Sequence, residues 1–511
     1  MGVFGSGLQR LCAVVAAATA GLAARQVRRA LKQTPTVELR LDWLRSDGER
    51  ARFLRWLKKN APRSAVFLAT CRRKEGGGKF NGDVAGELFW LMQAREAGCG
   101  WCDVEIETLR QLPNRSVRGY AVPPKVLLSV HDFDRTPAFP RRVAMPDPGE
   151  ADAVKIAAAA HTIGDSLRLL RLARHSKNFV AVPMGEAGLP ARVLALREGS
   201  ALAYAPVAEA TAPGQIALEE MKHLYRAHQL TGRTRVYGVI GDPIGHSLSP
   251  LLHNTGFVAR RIDAVFLPFL VRKLGDFLEA VPELGIRGFS VTLPHKQSIR
   301  KHLEGCDSLA EAIGAVNTVV VRRDGSLHGS NTDYVGVLRA LEKKIKLAGS
   351  RVLVFGAGGA ARAAAFALHR AGATVVICAR REAAAQALAR AAGGEAVPRR
   401  ALRTEYFDAI VNATPVGMQV GMQVGMHPRA GVSPLAANEL NCRVVMDLIY
   451  RPQQTQLLKI AARKGIVTVS GVEMFLAQGF AQWEVFTGQR APEAVMRRAI
   501  LRALAAKESR S

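Results

Sequence analysis

The chain has 511 residues, 48% hydrophobic and 22% charged, a composition that excludes a disordered or fibrous protein and leaves room for about three globular units. Lys and Arg number 71 against 43 Asp and Glu, a formal net charge of +28, yet the excess is shared almost evenly by the two halves and forms no basic tail. That spread argues against nucleic acid as the main partner; the surplus is a bland field able to draw in small anions. Seven scattered cysteines, an odd number in so long a chain, exclude a disulfide framework and point to reduced thiols in a cytoplasmic setting.

The apolar stretch from Leu11 to Ala24 follows Arg10 as a secretory signal would. Arg25, Arg28 and Arg29 come directly after it, and strand-like runs then continue at regular spacing, so it reads as a first strand and helix. No run of 18 apolar residues occurs, so no membrane span is expected. After Leu11–Val15, β-rich runs begin at Val37, Ala65, Trp101, Lys125, Ala153, Asn178 and Ala201. Eight strands alternating with helices over about 220 residues predict a (β/α)8 barrel across residues 1–230. Chemistry in that fold sits at the C-terminal strand ends, where Glu38, Arg40, Arg72, Glu105, His131, Lys155 and Arg192 fall. Cys99-Gly-Trp-Cys102 is a lone CxxC with no second pair or His cluster, either a redox or metal pair or plain packing; no metal site is assigned.

A short joint, Leu230–Thr234, leads to a strand at Val236–Ile240, so a second α/β unit starts near Arg233. Further on, Arg351–Phe355 runs into Gly356-Ala357-Gly358-Gly359-Ala360-Ala361 and an Ala-rich helix, the strand, turn and helix context that a dinucleotide fingerprint requires. The next strand, Ala373–Cys378, ends in Ala379-Arg380-Arg381 where an NAD enzyme would place an acid. Two guanidiniums there suit a 2'-phosphate and favour NADPH. A tandem four-residue unit, Val416-Gly-Met-Gln-Val-Gly-Met-Gln-Val-Gly-Met426, reads as a local duplication in a loop.

Lys155 lies in the apolar run Ala153–Ala160, where desolvation disfavours an ammonium; a neutral amine in a barrel mouth is a Schiff-base nucleophile, and the alternative is a strand lysine snorkelling outward. His131 ends the preceding strand and either moves protons beside an imine or is an ordinary loop histidine. Six motifs in this half, Val37–Asp42, Thr70–Gly77, Asp103-Val-Glu105, Ser129–Phe133, Val154-Lys-Ile156 and Ala212–Gln215, in that order, resemble type I 3-dehydroquinate dehydratase. The resemblance implies an imine between Lys155 and the ring ketone of 3-dehydroquinate. His131 then removes a proton and returns one to the departing hydroxyl, Glu105 orients or charge-balances the histidine, and Arg192 pairs with the substrate carboxylate. Glu38, Arg40, Arg72, Thr211 and Gln215 bind the ring hydroxyls, with Thr211 standing where the family usually has Ser.

In the second half, Ser247 and Ser249 can donate together to a carboxylate or simply start a helix. The segments Ser290–Lys296, Gly314–Thr318 and Gly329–Asp333 add a lysine, two asparagines and an aspartate near turns. With Asn412–Met418, Asp447–Pro452, Thr455 and Gly471–Gln478 they make residues 235–504 resemble shikimate dehydrogenase. That resemblance implies Ser247 and Ser249 on the substrate carboxylate, Thr292, Asn317, Asp333, Tyr450 and Gln478 on ring hydroxyls, and Lys296 with Asp333 in proton transfer. Gly356, Ala357, Gly358, Gly359, Ala360, Arg380, Arg381, Thr414, Met418 and Gly471 are the cofactor-binding set. Ser290 and Ala379 replace asparagines of many relatives without loss of charge. The repeat after Met418 adds about eight residues beside the expected nicotinamide position and is predicted to weaken NADPH binding or slow hydride transfer.

Taken together the chain resembles a fused dehydratase and dehydrogenase: a barrel at 1–230, a substrate-binding domain at 233–337 completed by a helix at about 485–508, and a Rossmann NADP-binding domain at 338–484. Two alternatives stay open: a second half with quinate preference or NAD use, and a non-catalytic regulatory binder that kept the folds.

Overall fold

A computed structural model of the protein describes residues 3–137, 151–208, 214–245, 247–418 and 431–508. The chain divides into two compact units. The first comprises Met1–Arg235, Ile244–His246 and Asp263–Leu284; the second comprises Val236–Pro243, Ser247–Ile262 and Gly285–Ser511.

Eight parallel strands build the first unit: β1 (Leu11–Val15), β2 (Thr36–Arg40), β3 (Val66–Thr70), β4 (Trp101–Glu105), β5 (Lys125–Asp132), β6 (Ala153–Ala159), β7 (Phe179–Met184) and β8 (Ala203–Pro206). They pair in chain order from β1 to β7, and β8 pairs with β1, giving the nearly closed barrel expected from the eight β-rich runs. The signal-like stretch forms β1 and then α1 (Ala20–Leu31), whose buried stripe is Ala23, Ala24, Val27 and Ala30. In β6 an almost wholly buried apolar run is interrupted by Lys155, because alternate residues of a barrel strand face the interior. The helices between strands include α2 (Asp47–Asn60), α3 (Val84–Glu96), α4 (Ile106–Gln111), α5 (Ile163–His175) and α6 (Leu189–Leu194). A Thr162 and Asp165 capping box opens α5, satisfying orphan backbone donors directly after β6.

The second unit contains a mixed sheet and a parallel sheet. In the mixed sheet β9 (Arg235–Gly241) runs parallel to β11 (Ile286–Val291), which is antiparallel to β13 (Thr318–Val321); β13 is antiparallel to β14 (Leu327–Ser330), and β14 is parallel to β12 (Gly305–Cys306). The intervening β10 (Ala264–Leu270) falls in the first unit. Between them lie α7 (Ser249–Ala259), α8 (Leu274–Leu284, also in the first unit) and α9 (Ser308–Ile313). After α10 (Asp333–Leu341) come β15 (Arg351–Phe355), β16 (Thr374–Cys378), β17 (Glu395–Ala396), β18 (Phe407–Asn412), β19 (Cys442–Asp447) and β20 (Val467–Val469). Their order is β17-β16-β15-β18-β19-β20, all parallel. Counted from β15 this is 3-2-1-4-5-6, the doubly wound dinucleotide-binding order.

Burial on both faces explains the continuous apolar strands. Val352 and Val354 pack with Ala361, Ala364 and Leu368 of α11 (Gly359–Arg370), whereas Leu353 and Phe355 pack on the opposite face with Leu457 and Leu458 of α13 (Gln456–Arg463). α12 (Glu382–Ala392) adds Ala385, Leu388 and Ala389 to the first of these faces. Two helices close the chain, the second of them falling where a C-terminal helix at about 485–508 was expected. The first, α14 (Gly471–Thr487), stops at Gly488, whose φ of +68 suits a left-handed cap. The second, α15 (Glu493–Glu508), packs against α7.

Two candidate active sites

In the barrel the ionisable residues gather in one cluster: Glu105 ends β4, His131 is next to last in β5 and Arg72 follows β3, whereas Lys155 is the third of seven residues in β6 and so lies within its strand, not at the C-terminal end expected from sequence. β4 presents Asp103 and Glu105 two positions apart, hence on one side of the strand. Register places Ser129 level with both Glu105 and Lys155. Lys155 is 3% exposed, and its Nζ is paired with Asp103, which also accepts from Ser129. Arg72 Nε donates to Glu105 at 2.6 Å, and its Nη2 lies 3.5 Å from Asp103. The other Glu105 oxygen is 2.8 Å from His131 Nδ1. A chain of contacts therefore runs from Lys155 through Asp103, Arg72 and Glu105 to His131.

Burial opposes every charge here, and the partners decide the outcome. Asp103 is held down at about 2, because the Lys155 ammonium and Arg72 guanidinium outweigh its desolvation. Burial pushes Glu105 up to about 7, with Asp103 adding to the rise while Arg72 and Lys155 pull against it. Burial, together with the positive charges of Arg72 and Lys155, holds His131 well below the usual imidazole value. That holds the imidazole in its neutral form, which keeps one ring nitrogen able to accept a proton.

The remaining barrel residues ring this chain. Glu38 accepts from Thr70 at 2.9 Å, and Arg40 makes a two-point pair with Asp42 at 2.9 and 2.7 Å. The turn after Arg72 doubles back so closely that a Cβ on Gly78 would sit 2.1 Å from the Arg72 carbonyl oxygen, so only glycine fits there. Arg192 lies within α6 and not at a strand end as expected, because β7 stops at Met184; it donates its Nε to the Pro183 carbonyl at 2.6 Å and has no carboxylate partner among the described residues, and burial lowers it to about 10. An arginine anchored on one side and lacking a counter-charge suits a substrate anion. Gln215 is half-buried, and Thr211 lies outside the described residues.

The second unit brings together Lys296, Asn317 and Asp333. Lys296 Nζ is 2.5 Å from one Asp333 oxygen, and Asn317 Nδ2 donates to the other at 2.9 Å. Asp333 opens α10, its backbone N–H bound by Asn331 Oδ1 at 3.0 Å. Thr292 is fixed through its backbone N–H on Ile240, and Ser247 Oγ accepts from the Ser249 N–H at 3.2 Å. The Tyr450 ring is tilted against Phe475 with centroids 4.9 Å apart, and Gln478 Nε2 donates to the Phe475 carbonyl at 2.9 Å. One turn further along α14, Gln482 accepts from Ser290 and donates to the Asn317 carbonyl and to Thr318.

The nucleotide fingerprint lies beside this cluster. Gly356 has φ +128 and a missing Cβ that would meet the Ala413 carbonyl at 3.1 Å; one on Gly359 would be 3.7 Å from Lys296 Cδ. Gly358 caps α11, whose first turn carries no acid, so its free N–H groups suit a pyrophosphate. Ala357 and Ala360 complete the turn, and Gly471 begins α14. Arg380 and Arg381 are exposed after β16 and form no ion pair among the described residues. Thr414 is held through its N–H and hydroxyl by Asn412, and the Met418 N–H bonds to Pro415. These groups fit a 2'-phosphorylated dinucleotide. Gln419–Met426 of the repeat lie outside the described residues.

Three residues that organise these sites were not singled out from sequence: Asp103, Ser129 and Gln482. The first two stand at alternate strand positions from Glu105 and His131, and Gln482 follows Gln478 by one helical turn, so periodicity held the signal. Cys99 and Cys102 are buried thiols, Cys99 pushed up to about 12 by desolvation, consistent with packing. Among the described residues no cluster of three or more His, Cys, Asp or Glu is placed to hold a metal, and no helix is long and apolar enough to cross a membrane.

Comparison with known proteins covers both halves. The family model for Type I 3-dehydroquinase matches residues 11–231, that for the shikimate dehydrogenase substrate binding domain 239–319, and that for the shikimate 5'-dehydrogenase C-terminal domain 471–501. A bifunctional 3-dehydroquinate dehydratase/shikimate dehydrogenase of Arabidopsis thaliana, described as chloroplastic, is 35% identical over 89% of this chain and 78% of its own length. NADP(+) shikimate dehydrogenases of Methanothermobacter thermautotrophicus and Thermococcus kodakarensis are 39% and 41% identical over 54% and 52% of this chain, covering 99% and 96% of theirs.

Proposed function

This chain belongs to the bifunctional 3-dehydroquinate dehydratase/shikimate dehydrogenase family, and on that premise we propose that its barrel dehydrates 3-dehydroquinate while its second half reduces the product, 3-dehydroshikimate, to shikimate with NADPH. The observation that carries the reading is the contact chain from Lys155 to His131, matched in the second half by the Lys296–Asp333 pair beside Gly359.

In the dehydratase, Lys155 condenses with the ring ketone, and the iminium draws electrons from the neighbouring carbon. Neutral His131, its Nδ1 side held by Glu105, takes the proton and later delivers one to the departing hydroxyl. Arg192 binds the substrate carboxylate, and Glu38, Arg40, Arg72, Thr211 and Gln215 hold the ring hydroxyls. Asp103 and Arg72 keep the site charge-balanced before substrate enters.

In the dehydrogenase, a nicotinamide held by the cofactor bed would supply a hydride to the ketone carbon. Lys296 and Asp333 deliver the proton to the oxygen, with Asn317 holding the far side of the carboxylate. Ser247 and Ser249 bind the substrate carboxylate; Thr292, Asn317, Tyr450 and Gln478 bind hydroxyls. Gly356, Ala357, Gly358, Gly359, Ala360, Thr414, Met418 and Gly471 form the cofactor bed, and Arg380 with Arg381 takes the 2'-phosphate. This reading divides the chain at residues 1–230, 233–337 with the C-terminal helix, and 338–484, acting on small molecules in a reducing, cytoplasmic compartment.

The test supplies the full chain with 3-dehydroquinate and NADPH while enone absorbance and NADPH oxidation are followed together. We expect substrate-dependent NADPH loss that Lys155→Ala and Lys296→Ala each abolish, the latter leaving enone to accumulate. Full coupled activity in either variant overturns the assignment.

A further inference from the structure

Tyr204 lies on β8, level with Cys12 of β1, and no motif drew attention to it. Its ring faces Lys155 with the Nζ 5.2 Å from the centroid. Its hydroxyl is buried without a hydrogen-bond partner, the one such hydroxyl among the described residues. A buried phenol left unsatisfied is costly unless an acceptor arrives during function. Burial and the nearby Glu38 and Asp103 carboxylates raise it well above the usual tyrosine value, so it stays a donor. The other polar groups around the lysine are already engaged: Asp103 by Lys155 and Ser129, Glu38 by Thr70, and Arg72 by Glu105.

We propose that Tyr204 serves the imine-forming step of the dehydratase, its ring face stabilising the cation on Lys155 Nζ and its hydroxyl donating to the oxygen that leaves as water. The step balances without a further reactant: the ammonium and the ketone give a protonated imine and one water. Two of the ammonium's three protons end on the carbonyl oxygen and one stays on nitrogen: loss of the first frees the lone pair that forms the C–N bond as the carbonyl π bond breaks, and after the second has passed to the carbinolamine oxygen the C–O bond breaks as the nitrogen lone pair closes the C=N bond. Tyr204 keeps its proton throughout, because it only donates a hydrogen bond. The ring acts because a cation over an aromatic face is attracted to its negative π cloud.

This inference rests on the Schiff-base reading of Lys155, and the experiment separates the two. In a His131→Ala background, where proton abstraction is blocked, the full chain is mixed with 3-dehydroquinate and quenched with borohydride, which reduces the iminium to a stable adduct. An adduct on Lys155 is expected; its absence sinks the Schiff-base reading. Adding Tyr204→Phe, which keeps the ring, should slow adduct formation about tenfold, and Tyr204→Leu should slow it further. Equal adduct rates with and without the hydroxyl overturn the inference. In the chain that keeps His131, Tyr204→Phe should lower the steady-state level of trapped adduct; a rise would place Tyr204 after imine formation and overturn it as well. A purely structural role would not move the trapping rate in a variant with unchanged thermal unfolding.

Discussion

The barrel and dehydrogenase sites both pair a lysine with an aspartate, but they set the pair in different surroundings. Lys155 and Asp103 have side chains 4% and 0% exposed, and each charge is tied through Arg72 to Glu105 and His131. Lys296 and Asp333 are 19% and 7% exposed, and the described groups bonded to the aspartate besides the lysine are neutral, Asn317 and Asn331. The difference follows the chemistry. The dehydratase makes its covalent electron sink from its own side chains, so a set of buried charges has to be balanced in advance. Hydride transfer brings its reactive group with the cofactor, and the protein mainly positions substrate and proton donor.

The largest effect should come from removing one charge of the buried set. Asp103→Asn leaves Lys155 without its counter-charge, and we expect about 3–5 kcal/mol lost from the barrel's stability, the scale for breaking a buried pair. Dehydratase turnover should fall about a hundredfold or more. The matching change, Asp333→Asn, should cost nearer 1 kcal/mol because the pair is wetter, while still slowing reduction about a hundredfold. Denaturant melts of both variants decide it; equal stability losses would erase the contrast.

The second test is pH. His131 is depressed by burial and then by Arg72 and Lys155; the base-competent neutral form is lost only as pH falls through that depressed value. The acid limb of dehydratase kcat/KM assigned to His131 should therefore lie below pH 6.5, the unperturbed imidazole value. Arg72→Gln removes a positive charge and should move that limb upward while lowering its height. A limb that stays in place shows that Arg72 does not act on His131.

How far these sites were legible depended on periodicity and on glycine turns. The eight barrel strands and the β15–α11 turn announce themselves by alternation and by Gly356, whose φ no other residue adopts easily. His131 and Glu105 stood out as polar residues at the ends of apolar strands, and Lys155 as a charge inside one. Asp103 escaped notice as a partner, because a strand pattern says which side a residue faces and not which residue it meets across two strands. The order β17-β16-β15-β18 and the meeting of Asn317 with Asp333 come from chain reversals set by tertiary packing, which no local window encodes.

A smaller effect is expected at the exposed end of the dehydrogenase site. Arg380 and Arg381 have no ion-pair partner to release among the described residues, so replacing both by alanine should leave stability within about 0.5 kcal/mol. KM for NADPH should rise about 10–100-fold, the worth of one or two charge-assisted bonds to phosphate, and KM for NADH should hardly change. A parallel rise for both cofactors would mean that the pair does not read the 2'-phosphate.

The smallest effect concerns the repeat. Gly417 and Val432 flank the undescribed stretch, yet a Cβ on Gly417 would lie only 2.9 Å from the Val432 carbonyl oxygen. The ends of the excursion already meet, so shortening it need not move either flank, and lengthening a closed loop costs little free energy. Thr414 stays pinned by Asn412 and Met418 by Pro415 whatever the loop does. Deleting Gln419–Met426 should therefore leave the fold intact and act only on the freedom of the segment next to the expected nicotinamide position. We expect KM for NADPH to fall, or the rate of hydride transfer to rise, by a few fold, with dehydratase kinetics untouched. Single-turnover reduction measured beside NADPH binding distinguishes the two, and unchanged values in both would show that the duplicated unit is silent for catalysis.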